Sequence, residues 1–166
     1  MSEKFELVDI NGKGTGIVLI GSEANHVSNI RKGCYMPVVG VIIINNKNEI
    51  LLQKRSRNKK MNPGKWGICG GKINLGENSI EAGIRETMEE ISVRLNKEEF
   101  KFLNMTTSDK GHFTVYYVRK DIDIAKCILQ KEEVEELRYF KMEEIENLDN
   151  EGFEWLGSLK EIIGKI

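Results

Sequence analysis

The run Val38-Val39-Gly40-Val41-Ile42-Ile43-Ile44 constrains this chain more than any other segment. β-Branched side chains are stiff at χ1 and pack well on a pleated surface, so the run reads as a strand. It shows no polar alternation, which means both of its faces must be covered. The 166 residues have room to do this within one domain, so residues 1–166 are expected to fold as a single unit. Asn45 to Asn48 make a turn, and Glu49 to Lys54 return as a partner strand. Upstream, Phe5 to Ile10 and Thr15 to Ile20 form a hairpin around Asn11-Gly12-Lys13-Gly14, with Gly21 to Met36 as loop or a short helical turn. Downstream, Trp66 to Cys69 is a short strand before a turn at Gly70-Gly71. Phe100–Thr107, His112–Arg119 and Val134–Phe140 are further strands, and Met142–Leu148 and Phe153–Ile163 read as helices. Strands and helices interleave, which places the chain in the α/β class, with a sheet covered by helices on both sides.

Composition narrows the function. Twenty-five Lys and Arg against 26 Asp and Glu leave a formal charge of −1, so no global field recruits nucleic acid. An anion must be met by a local patch, and Lys54-Arg55-Ser56-Arg57-Asn58-Lys59-Lys60 is one. The apolar run at 38–44 is too short to span a bilayer, and the N-terminus lacks the apolar core of a signal peptide. Cys34, Cys69 and Cys127 are odd in number and far apart, which argues for reduced thiols in a cytoplasmic protein.

The clearest helix runs from Asn78 to about Ser92. Asn78 with Glu81 three residues on forms a capping box, and Ile80, Ile84, Thr87, Met88 and Ile91 make a stripe at helical spacing. Arg85, Glu86, Glu89 and Glu90 share a second face. Like charges at that spacing cost roughly 0.2–0.5 kcal/mol per pair. The glutamates also lie in the half of the helix where the macrodipole favours cations. A divalent cation removes both objections, and magnesium prefers hard oxygen ligands of this kind.

Gly71-Lys72-Ile73-Asn74-Leu75-Gly76-Glu77 followed by Arg85-Glu86-Thr87-Met88-Glu89-Glu90-Ile91-Ser92-Val93 resembles the Nudix box, G-x5-E-x7-R-E-U-x-E-E-x-G-U with U aliphatic. Gly71, Glu77, Arg85, Glu86, Glu89, Glu90 and Val93 match at the required spacing; Thr87 replaces an aliphatic residue and Ser92 a glycine. The resemblance implies a Nudix-type α/β/α sandwich with a mixed β-sheet. The N-terminal hairpin and loop would occupy residues 1–36, and the box loop and helix residues 71–93. It implies Mg2+ or Mn2+ on Glu86, Glu89, Glu90 and the backbone of Gly71. Glu86, Arg85 and Glu77 would be catalytic, Arg85 orienting the carboxylates and Glu77 tying the loop to the helix. The activity implied is hydrolysis of a diphosphate linkage in a small molecule, a nucleoside diphosphate joined to another moiety.

Ile50 to Ser56, Pro63-Gly64-Lys65-Trp66 and the hairpin are similar to the Nudix branch that includes isopentenyl diphosphate isomerase and its hydrolase-like relatives. Gln130-Lys131-Glu132-Glu133-Val134 resembles a downstream element of that branch and adds Glu133 to the catalytic set. Arg55 and Lys59 match the branch's diphosphate-gripping cations, and Trp66 stands in a segment expected to contact substrate. The isomerases need a cysteine donor followed by His and Pro, and histidines on the metal. Here Cys69 is followed by Gly70-Gly71, and Met36 stands where relatives carry a histidine; His26 could match another of theirs but stands single, and His112 has no cluster around it. Isomerase therefore ranks second to hydrolase, beside a Nudix-fold protein that binds a diphosphate without turning it over. The oligomeric state stays open at this stage, a homodimer among the options.

Overall fold

The computed structural model describes residues 2–22, 31–109, 111–148, 152 and 164. At its centre lies β3 (Pro37–Ile44), the β-branched run. One edge pairs in parallel with β8 (Gly111–Arg119), from Pro37 opposite His112 to Ile44 opposite Arg119. β7 (Lys101–Ser108) continues antiparallel beyond β8 as the sheet's edge. The other edge of β3 divides. Ile43 and Ile44 pair with β4 (Ile50–Arg55), while Val38 to Val41 pair with β6 (Cys69–Lys72). β4 diverges to pair with β5 (Trp66–Gly67) and, on its far side, with β9 (Val134–Phe140). Residues 66–72 thus form one bent strand, and it fills the fork between β3 and β4. The sheet is mixed, as the resemblance implied.

Alternation along β3 explains its composition. Val39, Val41 and Ile43 pack with Leu51, Ala82, Ile91 and Leu95 beneath α1 (Ser79–Ile91). Ile42 and Ile44 face the opposite layer, with Ile50, Leu52, Trp66, Phe140 and Ile145 of α2 (Met142–Glu146). Each face of the strand is covered, so a polar residue on either would lose water without gaining a partner. β1 (Lys4–Val8) and β2 (Gly14–Ile20) form the expected hairpin, seated on Met36 through Phe5, Leu7 and Leu19.

Several expectations need correction. Gly70 and Gly71 sit inside β6 rather than in a turn. They are needed for close approach: a Cβ on Gly70 would overlap the Val39 carbonyl, and one on Gly71 the Glu86 carboxylate. Of the expected stripe, Thr87 and Ile91 are buried and Ile80 and Ile84 pack against the core, but Met88 is 48% exposed, and Ala82, Gly83 and Glu90 complete the inward face of α1. The Thr87 hydroxyl, out of place among apolar neighbours, bonds to the Gly83 carbonyl at 3.0 Å and the Ile84 carbonyl at 3.1 Å. α2 ends at Glu146, short of Leu148. The expected helix at 153–163 lies outside the described residues, as does His26.

Candidate active site

α1 starts where its sequence says it should. Asn78 accepts from the backbone of Ile80 and Glu81, and Glu81 returns a bond to the Asn78 N–H. It ends at Ser92 in the left-handed conformation, φ 56°, with Ser92 N–H donating to the Met88 carbonyl and Val93 N–H reaching the Thr87 carbonyl. These boundaries put Arg85, Glu86, Glu89 and Glu90 at its C-terminal half, against β6.

Arg85 organises the cluster. Its Nε donates to Glu77 Oε1 at 2.7 Å and its Nη2 to Glu77 Oε2 at 3.0 Å, a bidentate pair. Nη1 donates to Glu86 Oε1 at 2.7 Å and Glu89 Oε2 at 3.2 Å, and Nη2 also reaches the Lys72 carbonyl at 2.9 Å. A guanidinium has five N–H donors, and each finds an acceptor here. Burial works against the charge of Arg85, but Glu77 and Glu86 outweigh it and hold its pKa above the ordinary value. Glu77 in turn accepts from the Asn74 N–H at 3.0 Å. Burial would raise its pKa, and the bonds from Arg85 and Asn74 lower it.

The inner carboxylates are under opposite pressure. Glu90 is 3% exposed; its Oε2 accepts from Gln53 Nε2 at 3.0 Å and from the Gly70 N–H at 3.1 Å. Burial pushes its pKa up to about 8; the Gln53 and Gly70 bonds oppose the shift, and the charges of Glu86 and Glu133 add to it. Glu86, with 15% of its side chain exposed, lies against the Cα of Gly71. Its pKa is raised by burial, against the pull of Arg85 and with the push of Glu89. Two enclosed carboxylates therefore feel each other's charge, and of the two Glu86 has the Arg85 guanidinium as a partner.

That arrangement fits a divalent cation by its donor chemistry. Glu86 and Glu90 offer hard oxygens, and the hydrogen-bond donors on Glu90 are the neutral Gln53 amide and Gly70 N–H. As the side chains stand, among the described residues no three His, Cys, Asp or Glu groups converge to hold a metal ion. Glu89 is half exposed and turned onto Arg85.

A basic group lies beside this helix end. Arg55 and Lys59 both pair with Glu133, Lys59 through Oε1 and Arg55 Nη1 at 3.6 Å from Oε2. The Gln130 N–H donates to the Glu90 carbonyl at 3.0 Å, so the turn carrying Glu133 is docked on the end of α1. Lys72, whose pKa burial lowers, also lies within range of Glu86 and of Lys59.

Trp66 is placed elsewhere. It is 5% exposed and packs edge-on against Phe140, ring centroids 4.8 Å apart, in the layer opposite α1. A ring so enclosed gives a ligand no face to stack on, and the expected substrate contact is corrected to a core role. Cys69 and Met36 are also core residues, and burial pushes the Cys69 thiol far up, with Glu90 adding to the shift. A thiol in that position cannot meet a substrate as a proton donor. His112 is buried beneath the hairpin with Nδ1 2.8 Å from Thr107 Oγ1. Sequence reasoning missed Gln53, the side-chain partner of Glu90. Its polar side chain at the end of the apolar stretch Ile50-Leu51-Leu52 was the available signal.

A family model described as the NUDIX domain matches residues 35–158. It begins where the N-terminal hairpin and its loop end. A Nudix hydrolase of Listeria monocytogenes is 29% identical over 151 residues, covering 90% of this chain and 86% of that one. Another, of Listeria innocua, is 30% identical over 116 residues, 69% of each chain. A crystal structure from Deinococcus radiodurans superposes with a TM-score of 0.73 at 20% identity, covering 95% of this chain and 96% of that one, a likeness of fold.

Proposed function

The chain belongs to the Nudix hydrolase family and is a pyrophosphohydrolase of small molecules, and on that premise we propose that it cleaves, with Mg2+ or Mn2+, the diphosphate of a nucleoside diphosphate linked to another moiety. The observation that carries this reading is the enclosed carboxylate pair: Glu86, partly buried and bonded to Arg85, and Glu90, buried and within the charge range of Glu133, which itself pairs with Arg55 and Lys59. Carboxylates kept there at the expense of ionisation call for a cation, and cations beside them call for an anionic ligand.

Glu86, Glu90 and, once turned from Arg85, Glu89 would hold the metal, with the backbone of Gly71 alongside. When bound, the metal neutralises diphosphate charge, polarises phosphorus and lowers the pKa of an attacking water. Arg85 fixes Glu86 through Oε1, and Glu77 fixes Arg85, so the orientation of the set is established before substrate arrives. Arg55 and Lys59 meet charge on the phosphate distal to attack. Water oxygen bonds to phosphorus as the bridging P–O bond breaks, and the water's proton passes to a carboxylate. Glu86 and Glu133 are the acceptors this reading assigns.

A screen of diphosphate compounds with magnesium, read by product mass, tests the reading. Cleavage at a P–O–P bond should occur and should be lost in Glu86→Gln and Glu90→Gln. Turnover that persists in both variants, or that needs no divalent metal, would overturn it.

A further inference from the structure

Glu133 spends its charge on the two cations assigned above to the substrate. One oxygen is paired with Lys59 and the other lies 3.6 Å from Arg55, and all three side chains are only about a quarter exposed, 26% for Glu133 and Arg55 and 30% for Lys59. The backbone holds them together. Ser56 N–H donates to the Glu133 carbonyl at 2.8 Å, joining the carboxylate's own residue to the loop between Arg55 and Lys59. Glu133 also lies close enough to Glu90 for its charge to help raise that carboxyl's pKa.

We propose that Glu133 is a resident stand-in for a substrate phosphate, and that a phosphate group arriving at Arg55 and Lys59 exchanges partners with it. The inference rests on the reading that these two cations grip phosphate. Without a counter-charge, Arg55 and Lys59 would repel each other, with Lys72 adding to the repulsion of Lys59. Glu133 removes that repulsion while the site is empty. The pair keeps part of its surface in water, which screens it, and a competing anion can reach both cations from that side. A phosphate carries more charge and more acceptor oxygens, and a guanidinium can engage it through two parallel bonds. The exchange makes Glu133 a filter: an anion too weakly charged to outcompete a carboxylate does not enter. It also delivers Glu133 from the cations at the moment substrate binds, beside Glu90, where a proton acceptor is needed.

Calorimetric titration of inorganic pyrophosphate and orthophosphate into the metal-free protein tests this without turnover. Glu133→Gln should bind both about fivefold more tightly, the size expected for removing one such competitor. Arg55→Ala and Lys59→Ala should bind pyrophosphate more weakly. Unchanged or weaker binding in Glu133→Gln, with the two cation variants still impaired, overturns the exchange but leaves the phosphate grip standing. No effect in the cation variants removes the grip and the exchange together. If Glu133→Gln fails to fold, the side-chain carboxyl 13C resonance of Glu133 in the wild-type chain decides: it should move on pyrophosphate addition, and a stationary resonance counts against the proposal.

Discussion

Gln53 Nε2 donates to Glu90 Oε2 at 3.0 Å across the floor of the site, from the strand that diverges from β3 to the helix that covers it. The bond orients the Glu90 carboxyl but does not neutralise it, and burial keeps its pKa near 8. The folded-state pKa is above the ordinary 4.5, so Glu90 favours folding most when protonated. That contribution is fully present below about pH 4.5 and is lost as pH rises through about 8. The metal-free protein should therefore lose stability across this window. Glu90→Gln should flatten that part of the profile and unfold at a higher temperature than wild type above pH 8. Parallel profiles for the two proteins would show that Glu90 ionises freely in the fold.

Magnesium or manganese should raise the melting temperature, because a ligand bound only to the native state stabilises it by mass action. Hundredfold excess over Kd corresponds to about 2.7 kcal/mol. Glu89→Gln combined with Glu90→Gln should abolish the shift and leave the fold intact, as Glu89 is exposed and Gln preserves the shape of Glu90. An undiminished metal response in the double variant would remove the metal assignment.

Gly71→Ala separates the site from the fold. The added methyl meets the end of the Glu86 side chain rather than backbone, so the carboxylate can swing away and β6 can stay paired. Expected are near-normal thermal unfolding, weakened magnesium binding and a loss of turnover on the order of 10²-fold, as for misplacement by about 1 Å. Retained turnover would mean that Glu86 need not lie where it does.

The cap at Ser92 offers a stability test. Its φ of 56° is costly for a residue with a Cβ, roughly 1–2 kcal/mol. Ser92→Gly relieves the strain, partly offset by the greater freedom of the unfolded chain. The net should be stabilisation of up to about 1 kcal/mol, read by chemical denaturation, with metal binding unchanged. A destabilised variant would show that the Ser92 side chain contributes something the cap geometry does not reveal.

Much of this was legible in the residues. The β-branched run could only be a doubly covered strand, and the capping box at Asn78 set the helix register from which the spacing of Arg85, Glu86, Glu89 and Glu90 follows. What the sequence hid was depth. Periodicity alone could not say whether Glu90 or Met88 faced inward, since a rotation of one or two residues about the helix axis exchanges them. The decision belongs to the strand beneath, where Gly70 and Gln53 supply donors that an acceptor such as Glu90 can use and the thioether of Met88 serves poorly. Trp66 failed for a related reason. An aromatic beside a basic loop reads as a ligand contact, but the bend at residues 66–72 turns it into the layer away from α1. Glu133 lies some forty positions beyond the helix it serves, and no local pattern ties it to Lys59.

The turn at residues 130–133 is bonded at one end to the Glu90 carbonyl and at the other to the Ser56 N–H. These are main-chain attachments, indifferent to which side chains the site carries. The turn therefore works as a caliper whose jaws are the helix end and the loop of cations, with an opening fixed by peptide geometry rather than by rotamers. Lengthening it by one residue should change which phosphate chain fits between the jaws before it changes any residue that touches the chain.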